Sequence, residues 1–181
     1  MNLHRVHTRR SLRSLWRASG AAALLCLAVT GCAPIPYADP DNKVDQVPLT
    51  IDYTGTHINP QVSLFLEPKT CSAPRYIAMD DTTTRTIYVP ANQPSTLFVG
   101  GARLTGGLGV AFCQRFAVTA SFDRGARYKL THHTSDKQCT LRLTRVEDGV
   151  TRDVSSSMRS RQERNSALPG PRDGPYCVDR Y

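Results

Sequence analysis

A chain of 181 residues with 23 Lys and Arg against 15 Asp and Glu carries a formal charge of +8, but the excess is local. Residues 1–31 hold five arginines (Arg5, Arg9, Arg10, Arg13, Arg17) and no acid, so 18 cations face 15 acids in the remainder, a net +3. That balance argues against a nucleic-acid partner, which needs a basic face on the folded domain; the length allows one modest domain with extensions.

The chain opens with a basic segment, MNLHRVHTRRSLRSLWR, followed by the 14-residue run ASGAAALLCLAVTG and then Cys32. A helix needs about 20 apolar residues to cross a bilayer, so this run is too short. A basic start, a short apolar stretch and small residues at its end have the form of a secretory signal over residues 1–31.

Val29-Thr30-Gly31-Cys32 resembles the lipobox of bacterial lipoproteins: an aliphatic residue, two small residues, then cysteine. The resemblance covers about the first 32 residues. It implies that the Cys32 thiol receives a diacylglyceryl group, that a signal peptidase cuts before it, and that the new amino group is acylated by a fatty acid such as palmitate. Two or three acyl chains on one residue hold far more firmly than the single chain that binds only reversibly. Ala33, rather than an aspartate, follows the anchor, and in this family that implies the periplasmic face of the outer membrane.

Residues 33–46, APIPYADPDNKVDQ, carry three prolines and read as a tether continuing from Cys32. Fully extended they would reach on the order of 45 Å, at about 3.3 Å per residue.

From Val47 the pattern alternates. Val47, Leu49, Ile51 and Tyr53 point one way, and Thr50, Asp52 and Thr54 the other. Val62, Leu64 and Leu66 repeat the alternation, and further runs occupy 84–89, 95–99, 116–122, 127–132 and 139–145. Turn residues separate them, as in Asp123-Arg124-Gly125. About seven short strands predict an all-β fold, a small antiparallel β-sandwich over residues 47–148. The domain resembles, loosely, the immunoglobulin-like and transthyretin-like domains of periplasmic lipoproteins, which implies a sandwich and no particular activity.

With Cys26 in the signal and Cys32 at the anchor, Cys71, Cys113, Cys139 and Cys177 remain. No C-x₂-C pair points to zinc, and an exported domain favours two disulfides with three connectivities open. The reading leans to Cys71–Cys113 with Cys139–Cys177. Residues 149–181 are polar and rich in Pro and Gly, and read as an irregular tail stapled back by Cys177. One weak helical turn is expected around 153–164, with Val154 and Met158 as its apolar pair.

Chemistry-bearing motifs are sparse. There is no G-x-S-x-G elbow. Asp80-Asp81 lacks the spaced oxygens and glycine of a calcium loop, and the glycine-rich stretch 99–112 lacks the Lys-Ser/Thr end of a phosphate loop, so it reads as a connection between strands. His57 sits in a turn without a partner motif. His132-His133, with Asp136 and Cys139 downstream, is the one cluster; adjacent strand residues face opposite sides, so the two rings cannot meet one metal. The expectation is therefore a non-enzymatic binding or assembly module with no cofactor, anchored to the membrane by lipid, with an envelope protein as its partner. The alternative is a small disulfide-bonded inhibitor or ligand-binding lipoprotein directed at a hydrolase or a glycan. Arg159, Arg161 and Arg164 cluster in the tail and are candidate contacts to anionic cell-wall polymer.

Overall fold

The alternation of apolar and polar residues resolves into two stacked sheets. A computed structural model describes residues 34–55, 58–79, 83–105, 109–112, 116–135, 138–163 and 176–178. Cys32, Cys113, Arg164, His57, Asp80, Asp81, Asp136 and the signal segment lie outside the described residues.

The first sheet contains β1 (Gln46–Gly55), β4 (Thr84–Pro90), β8 (Arg127–Thr134), β9 (Cys139–Glu147) and β10 (Val150–Asp153), in the order β10-β9-β8-β1-β4. The second contains β2 (Ile58–Glu67), β3 (Ser72–Ile77), β5 (Pro94–Thr105), β6 (Gly109–Phe112), β7 (Phe116–Ser121), β11 (Arg159–Glu163) and β12 (Cys177–Val178). Its order is β12-β11-β7-β5-β2-β3, with β6 also paired to β5. The fold is an all-β sandwich as expected, with two departures. Twelve strands are described where about seven were expected, because β3, β6, β10, β11 and β12 are short or lack an alternating run. The first sheet is mixed, because β1 and β8 run parallel, Leu49 beside Tyr128 and Ile51 beside Leu130.

Facing residues form one core. Val47, Leu49, Ile51, Ile87, Val89, Leu130 and Leu143 from the first sheet meet Val62, Leu64, Leu97, Val99 and Ala120 from the second. Burying one such aliphatic side chain contributes about 1.5–3 kcal/mol, offset by the entropy of ordering the chain. Leu66 breaks the expected alternation and is exposed. It lies one residue past Phe65–Thr96, the last register pair between β2 and β5.

Three expectations need correction. The stretch 149–163 is not an irregular tail. Asp148 and Gly149 both take positive φ (50° and 77°), which makes a tight hairpin turn of the Asp-Gly kind that hands β9 directly to β10. The expected helical turn shrinks to a 3₁₀ turn, Ser155–Ser157, whose flanking Val154 and Met158 do pack on the core. β11 then crosses to the other sheet and pairs with β7, Arg159 opposite Thr119 and Arg161 opposite Ala117.

Within the glycine-rich stretch, residues 99–105 and 109–112 form strand rather than connection: β5 runs on to Thr105 and pairs with β6, Ala102 opposite Phe112.

The segment 35–46 is not a free tether either. The Tyr37 N–H donates to the Tyr76 carbonyl (2.7 Å) and the Tyr76 N–H to that of Ile35 (2.8 Å), so this segment runs parallel along the outer edge of β3. The Tyr37 hydroxyl donates to the Tyr88 carbonyl and accepts from the Tyr88 N–H, both at 3.0 Å, capping β4 on the opposite sheet. Further on, Lys43 lies 4.0 Å over the Tyr88 ring, Asp45 forms an ion pair with Arg124, and the Asp45 carbonyl accepts from the Ala91 N–H. The segment clasps the two sheets where β3 and β4 leave backbone groups unpaired, which is why its prolines and polar residues are compatible with order.

Candidate functional site

The disulfide expectation is overturned in its pairing. Cys71 is bonded to Cys177, with Cα atoms 5.4 Å apart, which excludes both Cys71–Cys113 and Cys139–Cys177. Cys139 is also disulfide-bonded. Pairing Cys71 with Cys177 follows from where the strands run. The β2–β3 turn folds over the outer face of the second sheet, Pro68 accepting from the Thr96 hydroxyl at 3.0 Å, and the returning chain meets it when the Tyr176 N–H donates to Thr70 and Cys71 carbonyls. Phe65, Phe98 and Tyr176 pack around the bridge, with Phe65 edge-on to Phe98 at 4.6 Å. A second, smaller apolar cluster thus covers part of the outer face of this sheet, over β2 and β5.

That cover occupies one of the candidate arginines. The Arg161 guanidinium donates to the Lys69 carbonyl and its side chain is half-buried. Arg159 is exposed. Of these two described residues, Arg159 has the greater solvent access that a polymer contact needs.

The two histidines separate as strand geometry requires. His132 is fully buried, its ring 4.9 Å from that of Tyr53 and 5.8 Å from that of Phe116. His133 is exposed, with Nδ1 2.9 Å from the Thr54 hydroxyl. Tyr53 joins the sheets: its hydroxyl donates a shared hydrogen bond to the Gly100 (2.8 Å) and Gln61 (3.0 Å) carbonyls. Burial raises its pKa despite those two bonds. His132 and Tyr53 serve the core, and no group of three or more His, Cys, Asp or Glu among the described residues could hold a metal ion. A dent lined by Gln61, Ser63, Phe98, Val99 and Gly100 holds about 100 Å³. That is well below the roughly 300 Å³ at which ligand pockets begin.

What remains open is the outer face of the five-stranded sheet. The polar phase of four strands lies there side by side. Thr86 and Thr50 are opposite one another, their hydroxyls 3.0 Å apart. Thr50 neighbours Lys129, which is opposite Thr144, and Asp52 neighbours Thr131, which is opposite Arg142. The face is polar and lined by hydroxyls with a few cations.

The acid buried on this face, Asp52, is fixed from both sides. Thr84 donates to it at 2.6 Å and Lys129 forms an ion pair at 2.8 Å. Burial alone would raise the Asp52 pKa, but the hydrogen bonds from Lys129 and Thr84, with the Lys129 charge, outweigh it and hold the carboxyl below its ordinary value. A depressed folded pKa contributes stability above the unfolded value, about 3.9, and that stability is lost as pH falls through the folded one. Asp52→Asn should remove this acid sensitivity. It should cost about 1 kcal/mol at neutral pH, because Lys129 is half exposed and water screens the pair. Urea unfolding of both proteins from pH 7 down to pH 3 measures it.

The sequence marks Thr50, Asp52 and Thr54 as outward-facing, but not their alignment with strands some 80 residues away. Tyr37 gave no sequence signal at all, since it lies in a proline-rich stretch outside any alternating run. No protein-family model, no curated protein and no solved structure matches this chain.

Proposed function

We propose that this protein is a lipid-anchored envelope protein that acts as a non-enzymatic binding or assembly module, its partner docking on the outer face of the five-stranded sheet. The observation that carries this reading is the contrast between the two sheets. Part of the outer face of one is covered by the Cys71–Cys177 bridge and its aromatic cluster. The other presents Thr84, Thr86, Lys129, His133, Thr140 and Arg142 to solvent on a rigid scaffold. Such a surface suits recognition through many hydrogen bonds and a few charges, as at the polar parts of protein interfaces. The disulfides favour an oxidising compartment, and the lipobox resemblance at Cys32 supplies an anchor on the periplasmic face of the outer membrane.

A photo-crosslinking residue at Thr131, in cells expressing the full chain, tests the docking face. The expected result is a discrete adduct that Thr50→Arg abolishes while leaving the folded protein intact. An adduct pattern the same from Thr131 as from Ser157, on the 3₁₀ turn, would overturn the reading.

A further inference from the structure

The edges of a sandwich are where its sheets can still pair with another chain. Among the described residues, three of the four edges are blunted. The 35–37 segment runs along β3, and the Tyr37 hydroxyl caps Tyr88 on β4. The third, β12, offers two residues. The fourth is β10, which ends the five-stranded sheet and is exposed in every residue.

The ladder shows which backbone groups of β10 are unused. Val150 and Arg152 lie opposite Glu147 and Arg145, and the Val154 N–H, in the same phase, donates to the Leu143 carbonyl at 2.9 Å. Alternate residues of a strand aim their N–H and C=O groups to opposite sides. Those of Thr151 and Asp153 therefore point out of the sheet edge. Three side chains stand beside them. Val150 is apolar and 52 % exposed. Arg152 and Asp148 form no ion pair among the described residues, although their neighbours do: Arg142 with Asp153, and Arg145 with both Asp123 and Glu147. The two unpaired charges are opposite in sign and lie two residues to either side of Val150.

We propose that β10 is a self-association edge: two copies of this chain pair β10 antiparallel to β10 about a two-fold axis at Thr151, joining two five-stranded sheets into one of ten strands. In this register the outward backbone groups of Thr151 meet those of Thr151 in the second copy. Asp153 lies opposite Gly149, beside which an added Cβ would find nothing within 4 Å. Val150 packs on the aliphatic stem of Arg152 from the second copy. The guanidinium then reaches diagonally to Asp148, a step that long side chains span across paired strands. Symmetry makes each contact twice. Moving the axis to Arg152 would oppose two arginines, and moving it to Val150 would draw Gly149, at φ of 77°, into the ladder. An edge this short makes a weak, reversible dimer, below the roughly 1,200 Å² of stable interfaces. The pairing uses neither the lipid anchor nor a partner on the open face, and it lays two such faces side by side.

The test co-expresses two differently tagged copies of the full chain, each with a photo-crosslinking residue at Thr151. The expected result is an adduct of twice the chain mass carrying both tags, which peptide mapping links within residues 148–153. Asp148→Lys in both copies, or Arg152→Glu in both, opposes like charges at both diagonals and should lower the yield by about tenfold. One copy with Asp148→Lys beside one with Arg152→Glu restores both opposite-charge pairs and should recover the adduct, which a folding defect in either variant would not allow. Three results overturn the proposal: no adduct between the two tagged copies, an undiminished yield when both copies carry the same substitution, or a mixed pair no better than either variant alone. None of them bears on the anchor or on crosslinks from Thr131.

Discussion

Replacing Cys71 and Cys177 together by serine is expected to lower the unfolding free energy by about 2–5 kcal/mol, the range for losing a native bridge. The bridge joins residues 106 apart in sequence, so on the chain-entropy model it restricts the unfolded state strongly. It also centres the apolar cluster of Phe65, Phe98 and Tyr176. Loss of the bridge frees Tyr176 from Thr70 and uncovers the outer face of β2 and β5, so the cost exceeds chain entropy alone. Denaturant titration of the oxidised protein against the double variant measures it. A peptide map under non-reducing conditions should recover the two cysteines in one linked fragment. A linked fragment of Cys139 with Cys177 would contradict the pairing.

Gly55→Ala is expected to cost about 3 kcal/mol, a large effect for one methyl group. Gly55 has φ of +87°, where an L side chain is strained by about 1–2 kcal/mol. The new Cβ would also stand 1.9 Å from the Thr134 carbonyl oxygen. Thr134 is the register partner of Gly55 at the end of the parallel β1–β8 pair, so backbone, not a flexible side chain, must move. Gly125→Ala provides the comparison: φ is +83° but nothing lies within 4 Å, and only the strain of about 1 kcal/mol should appear. Equal midpoints for the two variants in guanidinium chloride would show that the parallel pair is looser than described.

Much of the sandwich was legible in the chain because period-two alternation is a local property. Val47, Leu49, Ile51 and Tyr53 all became core, and the polar Thr50 and Thr54 faced outward. The opposite fates of His132 and His133 followed from the same rule. Strands without alternation were missed: β3 contains Pro74, β10 is exposed throughout, and β11 is polar in every residue. β3 and β10 lie at sheet edges and bury few side chains fully, and β11, paired between β7 and β12, has no apolar residue, so none of the three offers a hydrophobic phase to read.

The candidate site was less visible still. Its residues come from β1, β4, β8 and β9, and their adjacency depends on β1 pairing in parallel with β8, a contact across some 80 residues. Nothing in a local pattern encodes such a pairing, because parallel neighbours need not be close in sequence.

Alternation alone specifies that the chain builds an all-β sandwich, most of the residues that fill its core, and that His132 and His133 face opposite ways. These are properties of short segments, set by side-chain alternation and turn chemistry. That Cys71 meets Cys177, that residues 35–46 clasp the domain rather than tether it, and that an apolar cluster covers part of one outer face while the other stays polar and open, all emerge only in the folded sheets. Each depends on which distant backbone edges and faces are left unsatisfied once the core has formed, and that is a property of the assembled sheets.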